Sequence, residues 1–207
     1  RDAQYRPGDM VMSISGGWQE YSVALASALV QVDLEVAPPS LWLGALGTSG
    51  LTAYVGLLDL GQPHAGQTVV VSAASGGVGS IVGQIARKLG CRVVGIAGGP
   101  EKTRQLTETF GFDAAVDYRP PDFATRLQAA CLNGVDIYFD NVGGAVRDGV
   151  WPLMNTGGRV VVCGLISEYD DAPHAGPAWM NILSKRLTVR GFIMSDHLAR
   201  RDDSSAT

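Results

Sequence analysis

Cysteine is scarce, with three in 207 residues, and Cys91, Cys131 and Cys163 stand far apart without pairing or ligand spacing. An odd, scattered set excludes a disulfide-stapled scaffold and a thiolate metal centre, and it suits a reducing compartment such as the cytoplasm. His64, His174 and His197 have no Cys or His at metal-ligand spacing, so no metal is expected. Charge is also sparse: 17 % of residues are charged, the net charge is -4 and no Lys/Arg run occurs, which argues against a nucleic-acid surface. Long hydrophobic runs are missing, because glycines and polar residues break each apolar stretch below membrane-spanning length, and no secretory leader pattern is present. What is plentiful is glycine, with 27 residues, within a 46 % hydrophobic composition that fits a globular chain.

Those glycines gather meaning in Thr68-Val69-Val70-Val71-Ser72-Ala73-Ala74-Ser75-Gly76-Gly77-Val78-Gly79-Ser80. The apolar run has no alternation, as a parallel strand covered on both faces requires. Val78, Ile81, Val82, Ile85 and Leu89 follow at helical spacing, Gly90 supplies a left-handed terminator, and Arg92 to Ala97 reads as a second strand. This is a strand-helix-strand crossover of about thirty residues. Ala74, Gly76 and Gly79 occupy the three positions of a dinucleotide fingerprint, with alanine in the first. Free N–H groups at the helix start would hold a pyrophosphate. The alternative is a glycine-rich turn that only lets helix and strand pack.

Further along, Ala114–Val116, Val135–Asp140, Arg159–Gly164 and Leu187–Met194 read as four more strands, with helices over 102–110, 123–131 and near 179–185. Helical segments over 41–46, with Ser40 as N-cap, and over 51–58 precede the cradle. Six strands with crossovers predict an α/β doubly wound parallel sheet in the order 3-2-1-4-5-6, with ligands beyond the carboxyl ends, where Asn141, Gly164 and Met194 fall. The sixth strand would lie at an edge, where pairing with a second copy would make a homodimer. Residues 1–36 read as two short strands, 9–12 and 18–23, around Gly16-Gly17, a pair unable to form a core alone. Residues 198–207 read as a polar tail. A truncated protein or excised domain is expected, the alternative being a complete domain with frayed termini.

The second strand ends in Ala97-Gly98-Gly99 without the carboxylate that accepts the ribose hydroxyls in an NAD site. Lys102 follows in the first turn of the next helix and would reach a 2′-phosphate, with Arg104 behind it. NADP(H) is therefore expected over NAD. The alternative has Glu101 on the ribose and Lys102 as a solvated lysine.

Gly50-Leu51-Thr52-Ala53-Tyr54, Ala73 to Ser80, Glu101-Lys102, Phe139 to Gly144 and Cys163-Gly164-Leu165-Ile166-Ser167 together resemble the zinc-independent medium-chain reductases. The branch is similar to the leukotriene B4 12-hydroxydehydrogenase / prostaglandin reductase group with its alkenal double-bond reductases. The resemblance implies a Rossmann domain over 37–197 and, in 1–36, the remnant of a GroES-like catalytic domain. It implies NADPH-dependent reduction of the carbon-carbon double bond of α,β-unsaturated aldehydes and ketones. It places Gly76, Gly77, Val78 and Gly79 on the pyrophosphate, Lys102 on the 2′-phosphate, Tyr118 beside the adenosine phosphate and Asn141 at the ribose. Cys163, Gly164, Ile166 and Tyr169 would wrap the nicotinamide side, and Phe192, Ile193 and Met194 would meet the carboxamide. Glu168-Tyr169-Asp170 keeps the tyrosine of the group's Ser-x-Tyr-Asn pattern but not its asparagine.

Tyr169 is the candidate catalytic hydroxyl, a donor to charge building on the substrate oxygen; the alternative is an aromatic that packs on the cofactor. Asp140 is expected to hydrogen-bond loop backbone. Ser75 lacks the Gly-x-Ser-x-Gly elbow, which argues against hydrolase chemistry. Two rival functions remain: an NADPH:quinone reductase, and an NADPH-binding module without turnover.

Overall fold

A computed structural model describes residues 4–13, 16–170 and 176–200; His174 and the tail beyond 200 lie outside them. Eight strands occur among the described residues, two in a small antiparallel ribbon and six in one parallel sheet.

The sheet comprises β3 (Thr68–Val71), β4 (Arg92–Ala97), β5 (Ala114–Asp117), β6 (Val135–Asp140), β7 (Met154–Val162) and β8 (Thr188–Gly191), in the order β5-β4-β3-β6-β7-β8. That is the expected doubly wound order, reversing direction between β3 and β6. Successive residues of each strand feed opposite cores. Val69, Val71, Val93, Ile137 and Phe139 pack on one face with Val82 and Ala86 of α3 (Gly77–Lys88), and with Leu106 of α4 (Pro100–Glu108). Val70, Val94, Ile96, Tyr138 and Val160 pack on the other with Leu127 of α5 (Phe123–Ala130), and with Val146 and Val150 of α6 (Gly144–Val150). Two buried faces explain the unbroken apolar runs.

Helix α3 lies close to the sheet because Gly83 meets the Phe112 ring where any Cβ would intrude. It ends at Gly90, whose φ of +80° is the expected left-handed terminator. Before the sheet come α1 (Pro39–Leu43) and α2 (Thr48–Tyr54), which continues as a π-helical turn over Val55–Gly61. Helix α7 (Trp179–Lys185) precedes β8.

Several boundaries differ from expectation. The second N-terminal strand is β2 (Leu29–Gln31), paired with β1 (Val11–Ser13), because Trp18, Tyr21 and Val23 project into solvent without a partner strand. Ser40 does not cap α1, since Pro39 opens that helix and Pro38 stands at the cap. β7 runs through Gly157-Gly158 from Met154, carried by a register shift against β6. β8 stops at Gly191, so Phe192 to Met194 lie beyond the sheet. Among the described residues no helix is long and apolar enough to cross a membrane.

Candidate functional site

The carboxyl ends of β3, β4, β5 and β6 open onto one cleft of about 480 Å³. β3 leaves the sheet through Ser72 and Ala73, and Ala73 holds a left-handed φ of +46° that costs a non-glycine residue energy. Ala74 turns into the core, fully buried, and its N–H donates to the Ile96 carbonyl at 3.0 Å. Its place in the fingerprint is thus turn geometry, while Ala73, Ser75 and Gly76 line the cleft. Gly79 packs so tightly that a Cβ would stand 2.9 Å from the Ala74 Cα. Gly76 and Gly77 are exposed and Val78 half-buried. The cap position of α3 is Gly76, with no side-chain cap, so the first amides of a twelve-residue helix open without one.

The opposite wall carries Lys102, exposed in the first turn of α4, with Tyr118 and Arg119 just past β5. Neither Lys102 nor Arg119 has a side-chain hydrogen bond or ion pair among the described residues, whereas Arg87, Arg104, Arg126 and Arg147 all pair with carboxylates. Asp117 binds backbone N–H groups of Gly99 and Arg119, which hold its carboxyl below the usual carboxylate range.

Between β3 and β6 the order reverses, and a buried polar knot holds the floor. Asp140 Oδ1 accepts from Ser72 Oγ at 3.0 Å, Tyr138 OH at 2.8 Å, Val142 N at 2.9 Å and Gly143 N at 3.0 Å. Burial, then the Asp140 charge, pushes the Tyr138 phenol well above 10, so it stays a donor. Ser72 Oγ accepts from Asn141 N at 2.8 Å, and Asn141 Nδ2 donates to the Ser72 carbonyl at 2.8 Å. Asn141 is thereby fixed at the switch point with its side-chain oxygen free of that bond.

The loop after β7 is clamped across the one after β6. Ser167 N donates to the Val142 carbonyl at 3.0 Å, and Glu168 Oε1 accepts from Gly144 N at 2.7 Å and Arg147 Nη1 at 2.8 Å. A Cβ on Gly143 would stand 2.8 Å from Glu168 Oε1, so this crossing needs glycine. Beyond the clamp a second cleft of about 510 Å³ gathers Cys163, Gly164, Tyr169, Phe192 and Ile193. Ile166 faces the first cleft instead, and Met194 lines a separate cavity of about 350 Å³ with Met12 and Leu51. The Tyr169 hydroxyl accepts from Leu165 N at 3.2 Å, turning its oxygen toward its own loop.

Residues 77–205 match the zinc-binding dehydrogenase family. The chain belongs to that family. As a member of it, the chain is 48 % identical over 203 residues to the NADPH-dependent curcumin reductase of Escherichia coli, covering 95 % of this chain and 59 % of that one. It is 41 % identical over 199 residues to the 2-alkenal reductase (NADP(+)-dependent) of Nicotiana tabacum, covering 95 % and 58 %. The crystal structure of CurA from Vibrio vulnificus in complex with NADPH aligns with a TM-score of 0.81 at 47 % identity, over 86 % of this chain and 55 % of that one. This dehydrogenase-family chain therefore spans about three fifths of the length of the curated relatives it matches. The family's name implies zinc, yet among the described residues no three His, Cys, Asp or Glu side chains gather to hold a metal ion. The donor set does not fit the ion.

Sequence reading missed Arg119 and the clamp that Ser167 and Glu168 make across the loop after β6. Arg119 had a usable signal, since it follows β5 much as Lys102 follows β4; the loop clamp had none.

Proposed function

We propose that this chain is the NADP(H)-binding part of an oxidoreductase that reduces the carbon-carbon double bond of α,β-unsaturated aldehydes or ketones. The observation that carries the reading is the uncapped start of α3 facing, across one cleft, a lysine with no ion-pair partner among the described residues. Relatives named as NADP-dependent reductases of curcumin and 2-alkenals support the substrate class.

In this reading Gly76 and the amides of Gly77, Val78 and Gly79 hold the diphosphate, with Ala74 setting the turn. Lys102 takes the 2′-phosphate and Tyr118 flanks the adenosine. Asn141, held by Ser72, offers its side-chain oxygen to the ribose. Cys163 and Gly164 line the second cleft on the nicotinamide side, with Ile166 in the first cleft, and Phe192 and Ile193 present backbone groups to the carboxamide, whereas Met194 faces the separate cavity. When bound, the cofactor supplies a hydride to the substrate's β-carbon; the protein's part is orientation and charge stabilisation. Tyr169 accepts the Leu165 N–H and so keeps its own proton to donate to the developing oxyanion. No step needs zinc. The β1–β2 ribbon is read as part of a second, GroES-like β domain. The free cysteines support a cytoplasmic protein. The open edge of β8 supports a homodimer.

Steady-state oxidation of NADPH tests the proposal. An alkenal should drive it, slowly, because one wall of the active site belongs to the part of the relatives this chain does not span. Oxidation with quinones alone would overturn the substrate class. NADPH binding with no oxidation by either would leave a binding module.

A further inference from the structure

We infer that Arg119, with Lys102, forms a two-cation fork that reads the 2′-phosphate, and that Gly98-Gly99 are small in order to seat its guanidinium. The inference rests on the cofactor reading above and extends it to a residue outside the fingerprint. Three observations carry it.

Arg119 and Lys102 line the same cleft, and neither side chain has a hydrogen-bond or ion-pair partner among the described residues. Two cations at one end of a cleft repel each other unless an anion lies between them, and the Asp117 carboxylate that feels the Arg119 charge is itself tied to backbone N–H groups. The guanidinium lies across the turn that ends β4. A Cβ on Gly98 would stand 3.0 Å from Arg119 Nε, and one on Gly99 would stand 3.0 Å from Arg119 Nη1. In an NAD site this turn bears the carboxylate that binds the ribose hydroxyls. Here the same place is occupied by a cation, lying against the backbone of the missing acid. Asp117 then buttresses both partners, because its carboxylate binds the N–H groups of Gly99 and of Arg119 and so ties the two loops together.

The division of labour follows from side-chain chemistry. Lysine offers a mobile point charge, whereas the planar guanidinium presents paired donors to a tetrahedral dianion. Two contacts make selectivity robust: neither cation alone should account for it.

The test is calorimetric titration of the full chain with NADPH and with NADH, for the wild type, Arg119→Ala and Arg119→Lys. NADH, which has no 2′-phosphate, reports any loss of folding in the same variant. We expect Arg119→Ala to weaken NADPH by roughly ten- to a hundredfold, with NADH changed less than about threefold. Arg119→Lys should restore part of the loss, because charge returns without the fork. Equal effects on both cofactors, or none on either, would overturn this inference while leaving the cofactor reading intact. A wild type that binds neither cofactor would overturn both.

Discussion

Cys163 stands in the cleft beyond the loop clamp, where burial and then the negative charge of Asp140 push its thiol up to about 11. Only a thiolate adds to an electrophile, so at pH 7 roughly one thiol in ten thousand is reactive. A site proposed to receive electrophilic alkenals would thereby resist its own substrate. Alkylation by iodoacetamide, followed at Cys163 by peptide mass spectrometry, should rise about tenfold per pH unit from 7 to 10. A curve that levels off between pH 9 and 10 would mean an ordinary thiol, whose pKa is about 8.5. Lys102 allows a second test at this scale. Lys102→Ala should weaken NADPH by about 1.5–3 kcal/mol and NADH far less, as calorimetry would read it. Equal losses would show that Lys102 does not read the phosphate. Lys102 was legible because it follows a glycine turn at fixed spacing. Arg119 follows β5 in a similar way, but its seat on Gly98-Gly99 exists only once β5 lies beside β4, so the pairing of the two cations was not legible.

The elements that sequence reading placed best are those whose own composition decides them. β3 and β4 are apolar past their first residues and β6 is apolar between Asp136 and Asp140, and burial on both faces is what those stretches have. α3 carries its periodicity and its glycine terminator in one short stretch. The misplaced elements depend on partners. Trp18–Val23 has strand-forming residues but no neighbouring strand, and β7 extends upstream only because β6 offers Val135 to pair with Met154. Close packing of α3 leads to a prediction of its own. Gly83→Ala would drive a methyl group into the Phe112 ring, overpacking worth about 1–3 kcal/mol. Urea unfolding should show that loss of stability, and a wild-type midpoint would contradict the packing described.

At the scale of the whole molecule, the sheet ends in an open edge. β8 is exposed along its length, and the neighbouring α7 shows Trp179, Met180 and Leu183 to solvent. An apolar helix face beside an unpaired strand suits a second copy of the chain, joined edge to edge. Sedimentation should give twice the 21.7 kDa mass for the wild type and the monomer mass for Val189→Lys. A monomeric wild type would remove the dimer from the account. The fold class and strand order were legible because crossovers between parallel strands leave few topologies open. The loop clamp of Ser167 and Glu168 was not, because it joins residues from separate crossovers.

The central claim is that a diphosphate rests on the uncapped amides at the start of α3. Amide chemical shifts followed during NADPH titration test it most directly. The Gly76 N–H already donates to the Ala73 carbonyl at 2.9 Å, so the account predicts that the Gly77, Val78 and Gly79 signals move together and saturate with the binding isotherm. NADPH that binds while those three signals stay in place would contradict it.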